Sequence, residues 1–284
     1  MAGLAISSSL VGQDFGDATY SWTDQQTMLY ALGVGAQTDT EMAFLYEGYG
    51  PKVLPTFAVI PGMWAMDGIG KFIPLVIGRV LHGDQTLELF RPLPPKATIR
   101  MTGQLTEIWD KGPGKAAVVG AQCVGEDTDG PLFKIHTTLF LIGGGGFGGE
   151  RGPSASNANM PPDRAPDHVV EYQTRPEQGA LYRLSGDRVA IHIDPVAARK
   201  AGFKDAFMHG LGTYGFAGRA ILHALCGSEP ANFKSMTARF AGIVYFGDKI
   251  ITQIWRTAPG HAIVQAVNQH GEVVLSQAAA TFRA

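Results

Sequence analysis

Cysteine, net charge and long apolar runs are all scarce in this chain of 284 residues. Its two cysteines, Cys123 and Cys226, exclude a disulfide framework and a zinc cluster, and the apolar segments around them predict buried thiols. A formal net charge of -2 provides no general field for nucleic acid. No apolar run reaches transmembrane length, and the N-terminus lacks the basic flank of a secretory signal. These absences predict a protein with no nucleic-acid partner and no membrane insertion.

The remaining composition is that of a globular protein, with 45% hydrophobic and 17% charged residues. Its length allows one large domain or two of ordinary size. The chain also repeats itself weakly, because Ile108–Val118 matches Ile254–Val264, and both read as strand, Pro-Gly turn and strand. Leu29–Gly33 similarly echoes Leu181–Gly186. The repeats predict two similar units.

A segment rich in glycine and proline separates the two units. It begins at Gly143 and reaches Asp167, and such a density of breakers sustains neither a helix nor an internal strand. The predicted organisation is therefore a first half over residues 1–142, a linker over 143–167 and a second half over 168–284.

The chain is predicted to be rich in strands and to have few long helices. The strands are predicted at Thr86–Arg91, Thr98–Trp109, Lys115–Val124, Leu132–Ile142, Val169–Thr174, Ser235–Phe240, Lys249–Arg256, His261–Asn268 and Glu272–Phe282. The helices are predicted at Thr23–Leu32, Pro195–Ala201 and Gly212–Leu225. The last of these is the only long apolar helix, and it has the wide buried stripe that the core of a wrapped sheet requires.

One short loop in the second half carries a carboxylate and an imidazole, Asp187 and His192. Ser185-Gly186 before it marks a turn, and Asp194-Pro195 after it marks the start of a helix. Functional side chains concentrate in such loops, and an Asp–His pair can handle one water molecule. The alternative is that Asp187 caps the turn and His192 is an ordinary packed histidine.

His209-Gly210 leads into the long apolar helix. Gly210 is expected near the helix N-terminus, where free N–H groups favour negative charge and can stabilise an oxyanion. His209 is expected to shape the turn that presents Gly210. The alternative is that the glycines only allow close packing, which can hold for Gly212 and Gly215 without excluding a role for Gly210.

Tyr182–Asp187, His192–Pro195 and His209–Leu211 together resemble the hydratase 2 signature of MaoC-like (R)-specific 2-enoyl-CoA hydratases. Further matches follow in the same order along the chain, at 54–62, 81–85, 92–94, 239–240 and 246–248. The resemblance implies an α+β fold of the eukaryotic double hot-dog type, with antiparallel sheets that each wrap around a central helix. It also implies (R)-specific hydration of trans-2-enoyl-CoA to (3R)-3-hydroxyacyl-CoA in fatty acid β-oxidation. Asp187 and His192 would then handle the water, and Gly210 N–H would face the thioester oxygen.

Other residues match positions that contact the ligand in this family, namely His82, Gly83, Lys111 and Phe240. Lys111 also reads as a solvated turn lysine, and Phe240 as a core residue. Val189 departs from the family pattern, because it stands where an asparagine usually helps to hold the catalytic water. Its side chain cannot form a hydrogen bond.

The first half lacks the Asp–His pair and is expected to bind the acyl chain. Its apolar segment over 57–81 suits a tunnel or, for most of its residues, ordinary core. No cofactor is implied, since coenzyme A is part of the substrate, and no metal-ligand spacing appears. The resemblance suggests either a homodimer or a fusion to a 3-hydroxyacyl-CoA dehydrogenase.

The family is often peroxisomal, but the chain ends in Thr281–Ala284 and not in a Ser-Lys-Leu address. A cytoplasmic or mitochondrial location therefore stays open. Three alternatives keep the fold and change the function: an acyl-CoA thioesterase, a dehydratase acting on acyl carrier protein, and an acyl-CoA-binding homologue whose catalysis is weakened by Val189.

Overall fold

The structure of the protein, a computed structural model, describes residues 6–76, 78–153 and 158–284. Residues 1–5 of the first half, Ile77 of the apolar segment and residues 154–157 of the linker lie outside the described residues. The strands are β1 (Asp14–Trp22), β2 (Val80–Leu89), β3 (Ala97–Asp110), β4 (Ala117–Asp127), β5 (Gly130–Leu141), β6 (His168–Gln173), β7 (Phe233–Phe240), β8 (Lys249–Ala258), β9 (His261–Asn268) and β10 (Val273–Phe282). The α-helices are α1 (Asp24–Gly33), α2 (Val59–Gly62), α3 (Trp64–Phe72), α4 (Gln178–Tyr182), α5 (Pro195–Lys200) and α6 (Gly210–Cys226).

The strands form one antiparallel ten-stranded sheet in the order β1-β3-β4-β5-β2-β7-β10-β9-β8-β6. The five strands of each half follow the same sequence of connections, so the second half mirrors the first across the β2–β7 junction. At this junction Asp84 pairs in register with Arg239, and Arg239 Nε donates to Asp84 Oδ1 at 2.9 Å. The α+β double hot-dog is thus confirmed, and its two sheets are continuous.

Helix α6 is the central helix of the second half. Its side chains are buried along nearly the whole length, with Tyr214, Phe216 and Ile221 fully enclosed. The helix begins at Gly210, two residues earlier than the pattern predicts, which brings Gly210 into its first turn. It ends against Gly227, whose φ of 62° is the left-handed conformation that glycine adopts without strain.

The first half has its own central helix, which the sequence pattern did not predict. Helices α2 and α3 follow one another and pack on β3, β4 and β5. Glycine is a poor helix former, but these glycines allow close packing: a Cβ on Gly68 would overlap the Phe15 ring, and one on Gly62 would lie 2.5 Å from Ile135. Among the apolar residues of this segment, Phe57, Ile69 and Ile73 are buried core. These three residues therefore belong to the hydrophobic core.

Every predicted strand overlaps an observed one. The structure differs from the prediction at two strands. Strand β1 was not predicted, and β2 begins at Val80, six residues before the predicted start. The earlier start places His82 and Gly83 on a strand. The predicted burial of Cys123 and Cys226 is confirmed, and burial raises the pKa of both thiols to about 12. Within the described residues, no helix has the length and apolar character needed to span a membrane.

Candidate active site

The loop between α4 and α5 has the turn and the helix start that the sequence predicts. Helix α4 continues into a 3₁₀ turn that ends at Gly186, whose φ of 145° requires glycine. Asp194 then caps α5, because its Oδ1 accepts the N–H of Val196 at 2.8 Å and Pro195 occupies the first helical turn. Asp187 and His192 therefore lie on a short segment anchored at both ends.

Asp187 is held through both its carboxylate and its backbone. The N–H of Val189 donates to Asp187 Oδ1 at 3.2 Å, and His209 Nε2 lies 3.0 Å from the carbonyl oxygen of Asp187. The Val189 side chain is 38% exposed. What Val189 supplies to this site is its backbone amide, which orients the carboxylate even without an asparagine side chain.

His192 is oriented by a main-chain carbonyl. Its Nδ1 lies 3.0 Å from the oxygen of Phe207, and an oxygen acceptor requires the proton on Nδ1. In the neutral ring Nε2 is then unprotonated and can accept a proton. Burial lowers the pKa of His192, while the charge of Asp187 and the Phe207 carbonyl oppose that shift. His192 is therefore a neutral base near pH 7.

Gly210 is the first residue of α6, after His209 at the N-cap. An N–H in the first helical turn has no acceptor four residues earlier in the helix, and the helix dipole adds positive potential there. A Cβ on Gly210 would lie 3.2 Å from two atoms of the Phe240 ring. The absence of a side chain thus keeps open the space between the helix end and that ring.

His82 approaches from the first half. The pairing of β2 with β5 shifts register between His82 and Asp84, and such a bulge can redirect a side chain. His82 Nε2 lies 2.7 Å from Thr137 Oγ1, and its ring centroid is 4.4 Å from that of Phe240. Burial lowers the pKa of His82 to about 4, although Asp84 and Asp187 act in the opposite direction. The ring is therefore neutral at physiological pH.

A cavity of about 500 Å³ lies at this junction of the two halves. Of the predicted site residues, His82, His192, Gly210 and Phe240 line it. The rest of its lining is mostly apolar and includes Val80, Ile191, Phe203, Phe207, Met208 and Val244. Asp187 is not among the lining residues, but it is near enough for its charge to act on both His82 and His192. The structure thus brings His192 and the N-terminus of α6 to one apolar cavity, with the Asp187 carboxylate close to His192 but outside the lining.

Gly83 and Lys111 are placed differently from the other predicted residues. Gly83 is buried, and a Cβ there would lie 2.5 Å from the Phe140 ring, so Gly83 permits packing beside the bulge. Lys111 Nζ donates to the carbonyl oxygens of Arg151 and Pro153 at 2.7 and 3.1 Å. Lys111 therefore holds the linker and is not among the residues that line the cavity, so its contact with the ligand stays a prediction.

A second cleft of about 490 Å³ adjoins the cavity and shares Gly78, Ile191 and Ala201 with it. Two cationic side chains, Arg79 and Lys200, line this cleft. Both are exposed, and neither is ion-paired to any residue that the structure describes. Sequence reasoning missed them, because solvated charges carry no signal until the fold places them beside a cavity.

Metal ligation finds no support in the described residues, which contain no group of three or more His, Cys, Asp or Glu side chains able to hold an ion. The groups at the cavity are the imidazoles of His82 and His192 and the N-terminus of α6, and the Asp187 carboxylate acts on both imidazoles from outside the lining. Such a set is suited to proton transfer and to the stabilisation of a developing oxyanion.

Comparison with protein families gives two matches along the chain. Residues 20–143 match a family described as the MFE-2 hydratase 2 N-terminal domain, and residues 156–279 match the MaoC like domain. The chain is 42% identical over 268 residues to the 3-hydroxyacyl-thioester dehydratase Y of Mycobacterium tuberculosis, with 92% of this chain and 91% of the relative covered. It is 35% identical to the peroxisomal enoyl-CoA hydratase 2 of Arabidopsis thaliana, with 88% and 86% covered.

Solved structures give the same result. A MaoC-like dehydratase from Phytophthora capsici is similar with a TM-score of 0.86 and 29% identity over 98% of both chains. The full-length peroxisomal multifunctional enzyme type 2 from Drosophila melanogaster is similar with a TM-score of 0.80 and 32% identity, over 94% of this chain. This chain spans about half of that longer protein, since 48% of it is covered.

Proposed function

The chain belongs to the MaoC-like, hydratase 2 family, and on that premise we propose that it adds water across the C2=C3 bond of a trans-2-enoyl-CoA. The product is a (3R)-3-hydroxyacyl-CoA, as in fatty acid β-oxidation, and the reverse reaction is a dehydration. One observation supports this assignment above others. His192, a neutral base, and Gly210, at the N-terminus of α6, line one apolar cavity, and the Asp187 carboxylate is near enough for its charge to act on His192.

The mechanism assigns one task to each of these groups. The substrate water is assigned to the space between the Asp187 carboxylate and the unprotonated Nε2 of His192. Nε2 removes a proton from this water as the water oxygen attacks C3. Negative charge moves to the thioester oxygen, where the N–H of Gly210 and the α6 dipole stabilise it. The same pair then returns a proton to C2. Because water and proton come from one side, both add to the same face of the double bond.

The phosphates of the thioester carrier are assigned to the second cleft. Arg79 and Lys200 line a cleft that shares three residues with the cavity, and neither forms an ion pair within the described part of the chain. Charge-assisted contacts to phosphate are strong and specific, and Arg is suited to bidentate contacts. An acyl-CoA would thus lie with its polar carrier in the Arg79–Lys200 cleft and its thioester at Gly210.

An enoyl absorbance assay with a parallel measurement of free thiol tests the function. Purified protein given a trans-2-enoyl-CoA should lose enoyl absorbance without thiol release. Asp187→Asn and His192→Gln should each lower kcat by on the order of 10²–10⁴-fold, the usual contribution of general acid–base groups. Matching circular dichroism spectra and melting temperatures are the control for folding.

Other outcomes of the same assay identify the other candidates. Release of thiol by the wild-type chain indicates a thioesterase. Tight binding without either signal indicates a homologue that has lost catalysis. Activity on an acyl carrier protein thioester but not on the CoA thioester indicates a different carrier. Wild-type turnover in both variants would remove Asp187 and His192 from the site.

Location and partners are also part of the proposal. Relatives named as peroxisomal, and multifunctional relatives of which this chain covers less than half, suggest a peroxisomal enzyme that works beside a 3-hydroxyacyl-CoA dehydrogenase. Microscopy of a fluorescent fusion tests the location. Size-exclusion chromatography with light scattering tests whether the chain forms a homodimer.

A further inference from the structure

We propose that His209 is a positioning residue that fixes Asp187 relative to His192 and thereby sets the geometry of the water site. The proposal rests on the proposed function, but goes beyond it, because His209 itself does not line the cavity. His209 is fully buried at the N-cap of α6. Its backbone therefore begins the helix whose first amide belongs to Gly210.

The side chain of His209 contacts both members of the acid–base pair. Nε2 lies 3.0 Å from the Asp187 carbonyl oxygen, and the ring centroid is 4.2 Å from that of His192 with an interplanar angle of 32°. On its other side the ring packs against Tyr182, at 4.8 Å. One imidazole thus contacts the backbone of one catalytic residue and the ring of the other.

The segment before α6 completes this arrangement. The Phe207 carbonyl orients His192, and two residues later the His209 side chain holds Asp187. A displacement of His209 would therefore move the acid–base pair and the helix terminus relative to one another. Misplacement by about 1 Å can reduce the rate of an enzyme by about 10²-fold.

His209 suits this task in its neutral form. Burial lowers its pKa to about 3, and repulsion from His192 and Arg183 acts in the same direction. The bond to a carbonyl requires the proton on Nε2, and Nδ1 has no hydrogen-bond partner among the described residues. A neutral ring against His192 leaves that residue free to gain and lose a proton without charge repulsion.

A buried polar atom without a partner costs roughly 1–3 kcal/mol. Phenylalanine would fill this space without that cost, and it would lose only the bond to Asp187. The bond from Nε2 to the Asp187 carbonyl is therefore the contact that histidine adds to the packing of the ring. This comparison also supplies the experiment, because the ring and the donor can be removed separately.

The test compares His209→Phe, which keeps a ring without a donor, with His209→Gln, which can place an N–H near the position of Nε2. In His209→Phe, kcat should fall by roughly 10- to 100-fold with KM within about threefold of wild type. In His209→Gln much of kcat should return. His223→Phe is the matched control, since it removes a histidine at the far end of α6 that bonds to Glu41; it should lower stability and leave kcat unchanged.

A second measurement does not depend on turnover. Imidazole NMR titration should show that the pKa of His192 rises toward its ordinary value in His209→Phe, because a loosened loop admits water, and stays low in His209→Gln. Wild-type kcat in His209→Phe, or an activity loss that only follows the fraction of unfolded protein, would overturn the proposal. So would the same His192 titration in all three proteins. An inactive wild type with the expected titrations would instead count against the proposed reaction alone.

Discussion

Replacing Gly210 by alanine separates the catalytic role of this residue from its role in the helix. The added methyl group keeps the backbone N–H but enters the space between α6 and Phe240. It would lie 3.2 Å from two ring atoms, so that the ring must move by a few tenths of an ångström. Phe240 packs against His82 at 4.4 Å between ring centroids, and both line the cavity. The change therefore alters the place where the thioester is expected to bind.

Gly210→Ala is expected to lower activity without lowering stability. Alanine is better than glycine inside a helix by up to about 1 kcal/mol, and less in the first turn, so the melting temperature should stay level or rise. The rate should fall by roughly 10- to 100-fold, because a small misplacement of the thioester is costly even when the donor is retained. A tenfold loss corresponds to about 1.4 kcal/mol of transition-state stabilisation.

Gly212→Ala is the matched control for this experiment. Its Cβ would also meet a side chain at 3.2 Å, but that atom is the terminal methyl of Met208, which can yield. Steady-state hydration by both variants, with thermal unfolding in parallel, gives kcat, KM and stability. Wild-type kcat and KM in Gly210→Ala would show that the thioester oxygen does not bind next to this amide.

Four further predictions follow from the geometry. First, kcat/KM should stay level above pH 6.5 and decrease at lower pH. His192 must be neutral to act as a base, and burial lowers its pKa from 6.5. A decline that begins well above pH 7 would contradict this. Second, Arg79→Ala and Lys200→Ala should each raise KM several-fold with kcat unchanged, and high salt should reduce the difference in KM between wild type and variants. Equal KM in the wild type and both variants would contradict the assignment of the phosphates to this cleft. Third, Val189→Asn should change kcat by less than about tenfold, because the Val189 amide already holds Asp187, and a larger rise would show that the amide is no substitute. Fourth, Arg219→Met should cost about 3–5 kcal/mol in urea unfolding with kcat unchanged, because Glu41 stays buried and keeps its contact with His223 but loses its guanidinium partner; a cost under 1 kcal/mol would contradict this.

The sequence predicts the catalytic loop well because its signals are local. A glycine with positive φ, an aspartate cap and a proline in the first helical turn lie within ten residues of Asp187, and each acts on the chain next to it. The long strands were accessible as apolar runs between turn residues, and in β2 and β6 more and less buried side chains also alternate. Resemblance supplied the proposed roles of Asp187, His192 and Gly210, which spacing alone left open.

The contacts that the sequence does not predict are those made across the sheet or by the backbone. Thr137 meets His82 only because β5 pairs with β2, a separation of 55 residues. The acceptor for His192 is a carbonyl at Phe207, and any residue type would supply it. The contacts of Lys111 are of the same kind, because its partners are two carbonyls of the linker, about 40 residues further along the chain.

The first half supports the chemistry of the second although it lacks an acid–base pair of its own. Gln178 of α4 is fully buried, and its Nε2 donates to the carbonyls of Leu32 and Gly33 at 2.9 and 2.7 Å. These carbonyls end α1, where a helix leaves its last acceptors unpaired. The equivalent tyrosines of the two repeats, Tyr30 and Tyr182, also lie in contact, with ring centroids 6.0 Å apart.

This contact between repeats has a consequence for the catalytic loop. Asp187 follows five residues after Tyr182, whose other face packs against His209. Packing therefore connects α1 to the Asp187–His192 pair through α4 and His209. His82, on β2, lines the same cavity as His192. The proposed site in the second half therefore depends on packing with the first half, although the first half has no Asp–His pair that matches Asp187 and His192.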